Sequence, residues 1–313
     1  MLNGKIKAQG EPIPACRIPR TPSKWTLAFG LVLMSSAAPS VQADYYPAAT
    51  FPGDKANNGS GGWGIYYHSG TQGRTRWSDE ASQNPDHKQN PELRTENGVS
   101  FRRFKLYAYS PYDPAGTHRF LGAEIRTNKS YGYTGIDPNV PAGQARTFTA
   151  KVRLANVASG AIAAFYPYGG AGDEIDFEYL GTLLPSHLWL NVHNDGGQLN
   201  EGAQWPVSKT WTAWHNYRIK WSPGTVEWFI DDYKTAVRRV DSPDPVPDEK
   251  LQVHLNIWAP DNKGQDAFGT AYDGDLQPAA TETAALVSYF DVAGVSTGIE
   301  PKAKGKATSK RRY

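Results

Sequence analysis

Three acids at alternate positions carry the chemistry legible in this chain. The run Gly172-Asp173-Glu174-Ile175-Asp176-Phe177-Glu178-Tyr179 sets Glu174, Asp176 and Glu178 two residues apart. In an extended strand they share one face, and Ile175, Phe177 and Tyr179 share the other. Three like charges in a row repel and acidic residues are poor strand formers, so a merely solvated strand face gains nothing from the pattern. A calcium site is a second reading, although calcium is usually caged by loop oxygens rather than by one rigid face. The third reading is glycoside hydrolysis, which needs one carboxylate as nucleophile or base and one carboxylic acid as proton donor. Strand residues four apart have α-carbons roughly 13 Å from each other at ~3.3 Å per residue. Glu174 and Glu178 therefore converge only if the strand is concave and their side chains lean inward. Asp176 between them can hydrogen-bond one Glu and disfavour ionisation of its neighbour, which leaves one Glu ionised and the other protonated.

The elements that must hold these acids read as strands. In 146–154, Phe148, Ala150, Val152 and Leu154 alternate with Thr147, Thr149, Lys151 and Arg153. Tyr217, Ile219 and Trp221 form a second apolar face, and Val226, Trp228 and Ile230 a third, closed by a turn at Asp231-Asp232. Gln252–Trp258 and Leu286–Val292 predict further strands. Residues 44–100, rich in Gly, Asn, Asp, Ser and Pro, predict loops with short strands. Period-two alternation without long amphipathic helices predicts an all-β fold, an antiparallel β-sandwich whose concave cleft takes the substrate. The 10 Trp and 17 Tyr suit that core, and some suit a wet groove where sugar rings stack.

Charge and leader patterns bound the function. Residues 1–43 carry a basic start, an apolar run from Trp25 to Met34 and small residues up to Val41-Gln42-Ala43, which predicts a cleaved secretory signal peptide. The apolar run is short of the ~20 residues of a bilayer span, so no membrane span is expected once the leader is removed. The single cysteine, Cys16, lies in the leader, which excludes thiol catalysis and thiolate metal sites in the body. Residues 44–300 hold 22 basic and 30 acidic residues, a formal net of −8, whereas 301–313 hold six basic residues and no acid. The acidic body disfavours nucleic acid as a partner. The basic tail has no apolar pattern and is expected to be disordered. A secreted or periplasmic monomer acting on a polysaccharide, with no cofactor needed for catalysis, is the resulting expectation.

The sequence resembles glycoside hydrolase family 16, whose mark is Glu-x-Asp-x-Glu on a strand of a concanavalin-like β-jelly roll. Besides Glu174–Glu178, the resemblance rests on Leu121-Gly122-Ala123-Glu124-Ile125-Arg126-Thr127, Tyr131-Gly132-Tyr133, Ala163-Ala164-Phe165-Tyr166, Trp214–Trp221, Val226–Asp231 and Leu255-Asn256-Ile257-Trp258, in order from about 118 to 293. It implies a retaining mechanism in which Glu174 is nucleophile, Asp176 the assisting carboxylate and Glu178 acid/base. The unbulged motif favours a 1,3-1,4- or 1,4-containing β-glucan, cleaved internally. Gly172 departs from many mixed-linkage relatives, which have Trp there, so a bacterial exopolysaccharide with a β-glucan backbone is an alternative substrate. Arg126, Tyr133, Phe165, Asn256 and Trp258 are implied to meet substrate. Asn191 is expected beside them, because it alternates onto the face of Trp189 and His193. Arg126 in a strand-edge salt bridge and Trp258 in the core are the structural alternatives, and His193 and His254 show no metal-ligand spacing. The resemblance also places a structural calcium at Asp291 in some relatives. A transglycosylase using the same acids and a non-catalytic lectin-like module are the competing functions; retention of both Glu174 and Glu178 argues against the latter.

Overall fold

The computed structural model describes residues 43–51, 62–65, 71–73, 75–77, 90–108, 120–182, 187–194, 197–198, 203–206, 210–239, 246–260 and 285–301. The expected leader up to residue 42 and the basic tail beyond 301 lie outside them. Apart from one 3-10 turn at Ala48–Thr50, the regular elements are strands: β1 Asp44–Pro47, β2 Trp63–Ile65, β3 Thr71–Gln72, β4 Thr75–Trp77, β5 Glu92–Glu96, β6 Val99–Ala108, β7 Phe120–Thr127, β8 Gln144–Asn156, β9 Ile162–Tyr168, β10 Glu174–Leu180, β11 His187–Asn194, β12 Gly197–Gln198, β13 Ala203–Pro206, β14 His215–Ser222, β15 Thr225–Ile230, β16 Tyr233–Arg239, β17 Gln252–Trp258 and β18 Ala285–Pro301. No helix among the described residues is long and apolar enough to cross a membrane.

The strands form two antiparallel layers. One runs β16-β15-β14-β8-β18, with β6 and β1 sharing the far edge of β18 and β5 beyond β6. The other runs β2-β7-β17-β9-β10-β11-β13. β7 joins them. Its first residues pair with β6 and, in parallel, with β4, and the rest pairs with β17 and β2. This is the curled sandwich of a jelly roll, as the alternation predicted.

The core lies between the layers. Phe148, Ala150, Val152 and Leu154 of β8, Tyr217, Ile219 and Trp221 of β14, and Val226, Trp228 and Ile230 of β15 are all buried in it, opposite Ile175, Phe177 and Tyr179 of β10 and Val253, Leu255 and Ile257 of β17. Fully burying one such side chain contributes about 1.5–3 kcal/mol. The Tyr217 ring meets Phe177 and Tyr179 edge-on at 5.5 and 5.0 Å, and so ties the motif strand to the opposite layer. The β14–β15 hairpin turns at Pro223-Gly224, where Gly224 takes φ 67. The next hairpin turns at Asp231-Asp232, as expected, with Asp231 at φ 54.

Asp291, where the resemblance places a structural calcium in some relatives, sits between two arginines. Its side chain is fully buried, and Arg103 Nε and Nη2 donate to its two oxygens at 2.7 and 3.0 Å. Arg153 Nε and Nη2 donate to Oδ2 at 3.0 and 2.7 Å. The two guanidinium groups take up the hydrogen-bonding capacity of the carboxylate, and Glu96, which also meets both arginines, balances the charge of the cluster. Burial pulls both guanidinium pKa values down. The hydrogen bonds to Asp291 and, for Arg153, to Glu96 outweigh it and hold them above the ordinary range.

Candidate active site

The motif strand behaves as its alternation demands. Ile175, Phe177 and Tyr179 enter the core, while Glu174, Asp176 and Glu178 line the opposite face of their sheet. Register then decides what joins them. β11 sets Trp189, Asn191 and His193 opposite Glu178, Asp176 and Glu174. β9 sets Tyr168 opposite Glu174 and Ala164 opposite Glu178. β17 adds His254 and Asn256 opposite Tyr166 and Ala164, and β7 adds Arg126 and Glu124 opposite those two. The acidic face is therefore walled by Trp189 and Trp258, both almost buried, and floored by polar side chains.

A proline breaks the ladder at the centre of the site. Glu174 pairs with Tyr168 and Phe177 with Phe165, but the pairing lapses at Ile175 and Asp176, across from Pro167 and Tyr166. Proline has no N–H to donate. The carbonyl of Asp176 accepts from Trp228 Nε1 of the opposite layer at 2.8 Å. A buried carbonyl thus keeps a partner, and the middle of the motif is pinned from behind.

Glu174 and Asp176 face each other and, among the described residues, are acted on by the charges of further acids. Glu174 and Asp176 share a hydrogen bond. Burial, then the charges of Glu178 and Glu124, push Glu174 up to about 8, against the opposing pull of that bond. Burial, then the charges of Glu174 and Glu178, push Asp176 far above the usual carboxylate range. Two buried carboxyl groups in contact hold a proton between them and titrate as a pair. The hydrogen bond from Asp176 to one Glu, expected from the alternation, is made to Glu174.

Around this pair, Asn191 Nδ2 donates to His193 Nε2 at 2.7 Å, and that nitrogen lies 3.8 Å from Asp176 Oδ2. Burial pulls the pKa of His193 down, which suits an accepting, neutral ring. Glu174, Asp176 and His193 bring one ligand atom each within 4.8 Å of one another. His193 Nε2 accepts from Asn191, and Glu174 and Asp176 hydrogen-bond each other, so the three groups form one connected polar array.

Of the remaining residues singled out from the sequence, Arg126, Asn191, Asn256 and Trp258 lie on the acidic face. Phe165 does not. It is fully buried in the core, stacked near-parallel on Phe177 at 6.3 Å, and the next residue, Tyr166, is the one that faces the acids. Tyr133 is half-buried with its ring edge-on to Trp221 at 4.7 Å. The acids that act on its hydroxyl are Asp248 and Asp173, so it belongs to the margin of the core and not with the ladder. Glu124, Tyr166 and His254 were missed. Glu124 is two residues before Arg126, and alternation alone could have put it on the same face.

Gly172 explains its own departure from Trp. It takes φ 98, a backbone region that favours glycine over any side chain. The turn it makes is clamped on both sides: Asp173 Oδ2 accepts from the backbone N–H of Asp248 at 2.8 Å, and Glu249 Oε1 accepts from that of Ala171 at 2.9 Å.

The fold and site together are a two-layer jelly roll that carries Glu174, Asp176 and Glu178 on one sheet face, an arrangement suited to glycosidic-bond chemistry. The chain belongs to glycosyl hydrolases family 16, whose model matches residues 70–274. It is 31% identical over 121 residues to "Probable glycosidase CRR1" of Saccharomyces cerevisiae, a match covering 35% of this chain and 28% of that protein. It is 23% identical over 183 residues to a "Beta-glucanase" of Paenibacillus polymyxa, covering 57% of this chain and 68% of the relative. Among solved structures, the Bacillus licheniformis β-glucanase superposes with a TM-score of 0.52 at 17% identity, over 82% of this chain and 97% of that one, which shows the shared fold.

Proposed function

We propose that the chain is a secreted endo-β-glycanase that hydrolyses internal bonds of a β-glucan with retention of configuration. The observation that carries this reading is the single acidic face on which Glu174, Asp176 and Glu178 lie, with a proton held between the first two. Glu174 is the nucleophile: one of its oxygens forms a bond to the anomeric carbon as the glycosidic C–O bond breaks. Glu178 gives its proton to the departing oxygen. It then takes a proton from the water that displaces Glu174 and releases the sugar. Asp176 holds the shared proton while Glu174 attacks and so steadies the nucleophile as its charge is consumed. Trp189 and Trp258 offer flat faces on which sugar rings can stack. The mixed-linkage or 1,4-containing β-glucan is supported by the unbulged motif and by the β-glucanase relative. The Gly172 turn leaves an exopolysaccharide with a β-glucan backbone as the alternative substrate.

The test is a panel of barley β-glucan, lichenan, laminarin, xyloglucan and bacterial exopolysaccharides, with reducing ends and product sizes measured. Glu174→Gln and Glu178→Gln are expected to lower turnover by about 10⁴-fold or more while the fold persists. Undiminished cleavage by either variant removes the assignment. Longer products built from added acceptor sugars would make the chain a transglycosylase on the same acids.

A further inference from the structure

Beyond the motif strand, the acidic face holds a second buried array that the hydrolytic mechanism does not use. Glu124 of β7 is fully buried at its side chain, and a single oxygen, Oε1, accepts from Tyr166 Oη at 2.6 Å and from His254 Nδ1 at 2.8 Å. Asn256 Nδ2 in turn donates to Tyr166 Oη at 3.1 Å. The imidazole lies tilted against the Tyr166 ring at 5.0 Å and edge-on to Tyr168 at 5.6 Å. Donation from Nδ1 fixes the tautomer and orientation of His254. Tyr166 is held as a donor, because burial, then the charges of Glu124 and Glu174, push its pKa far up. β9, which carries Tyr166, lies between β17 and β10, so the array abuts the catalytic acids. We infer that Glu124 and His254 form a positioning pair that locks Tyr166 beside the catalytic acids and adds a negative charge that governs when Glu174 is free to attack.

The groups facing Glu174 are Asp176 and Glu178 on its own strand, His193 on β11, Tyr166 and Tyr168 on β9, His254 on β17, and Glu124 and Arg126 on β7. Among the described residues, Glu124 contributes a charge from outside the motif that raises the Glu174 pKa. Glu124 raises the energy of the Glu174 anion, and its removal makes that anion easier to form.

This inference rests on the hydrolase reading, and the experiment separates the two. The kcat/KM–pH profile of the full chain is measured on whichever glycan the wild type degrades. Glu124→Gln is expected to move the acidic limb down by about one pH unit. His254→Leu is expected to lower kcat/KM about tenfold by freeing Tyr166, and His254→Gln, which can still donate to Glu124, to restore most of it. If Glu124→Gln fails to fold, the two His254 variants decide: equal impairment in both means His254 only packs, which overturns the pair. A wild-type chain that cleaves no β-glycan overturns the hydrolase reading. A cleaving wild type whose acidic limb is unmoved by Glu124→Gln overturns only this inference.

Discussion

Two sets of buried acids, one in each layer, settle the same electrostatic problem in opposite ways. Asp291 of β18 is fully buried and takes four hydrogen bonds from Arg103 and Arg153. For Glu174 and Asp176 of β10, the charges shown to act on them among the described residues are those of other acids. One carboxylate is neutralised by its neighbours, whereas the other two must share a proton. The comparison teaches that the chain keeps charge compensation for its scaffold and withholds it from its chemistry, because a carboxylate locked to two arginines cannot attack or exchange a proton.

The largest effect expected from breaking this contrast is at Asp291. Asp291→Ala leaves two partly buried guanidinium groups without their shared acceptor. It should lower unfolding free energy by about 3–5 kcal/mol in urea titration, while activity per folded molecule is kept. Chelator should leave the wild-type melting temperature where it is; a drop of several degrees would restore a cation to that site.

At the catalytic acids the expected change has the opposite sign. The pKa of Glu174 is raised by burial to about 8. Between the ordinary carboxylate range and pH 8 the folded chain therefore keeps a proton that the unfolded chain releases, and stability falls as pH rises through that window. Glu174→Gln has no such proton to lose. It should match the wild type near pH 4 and exceed it by a margin that grows as the pH rises to 8, read from denaturation midpoints across the range. A gap that stayed constant with pH would show that the acids are not strained by burial.

The smallest effect sharpens the comparison from the core side. Trp228 and Trp221 are equally buried, but Trp228 Nε1 donates to the Asp176 carbonyl, whereas Trp221 Nε1 has no hydrogen-bond partner among the described residues. Trp228→Phe should cost about 1 kcal/mol more than Trp221→Phe and lower kcat, because only the first unpins the motif strand. Equal losses in stability and unchanged kcat in both would refute the pin.

Much of the fold was legible because strand alternation is a local property. Where apolar and polar residues alternate, as in β8, β14 and β10, the buried face was readable directly. It failed at β9. Ile162-Ala163-Ala164-Phe165-Tyr166 is apolar or aromatic throughout and buried on both faces, so nothing in its pattern fixes the phase. The resemblance points to Phe165, but Phe165 enters the core and Tyr166 stands beside the acids. The arginines on Asp291 were not legible either: a carboxylate in a strand looks the same whatever partner waits for it.

By itself the sequence determined the all-β class, the face shared by Glu174, Asp176 and Glu178, and the apolar stripes that must meet in a core. Each follows from spacing along one stretch of chain, which the period of a strand converts into direction. Only the tertiary structure decided which side chains stand across from those acids. The Trp228 anchor, the Glu124–His254–Tyr166 array and the arginines on Asp291 come from residues 42 to 188 positions apart. Their meeting depends on strand order and register, and a shift of one residue in either would have turned a different set of side chains toward the site.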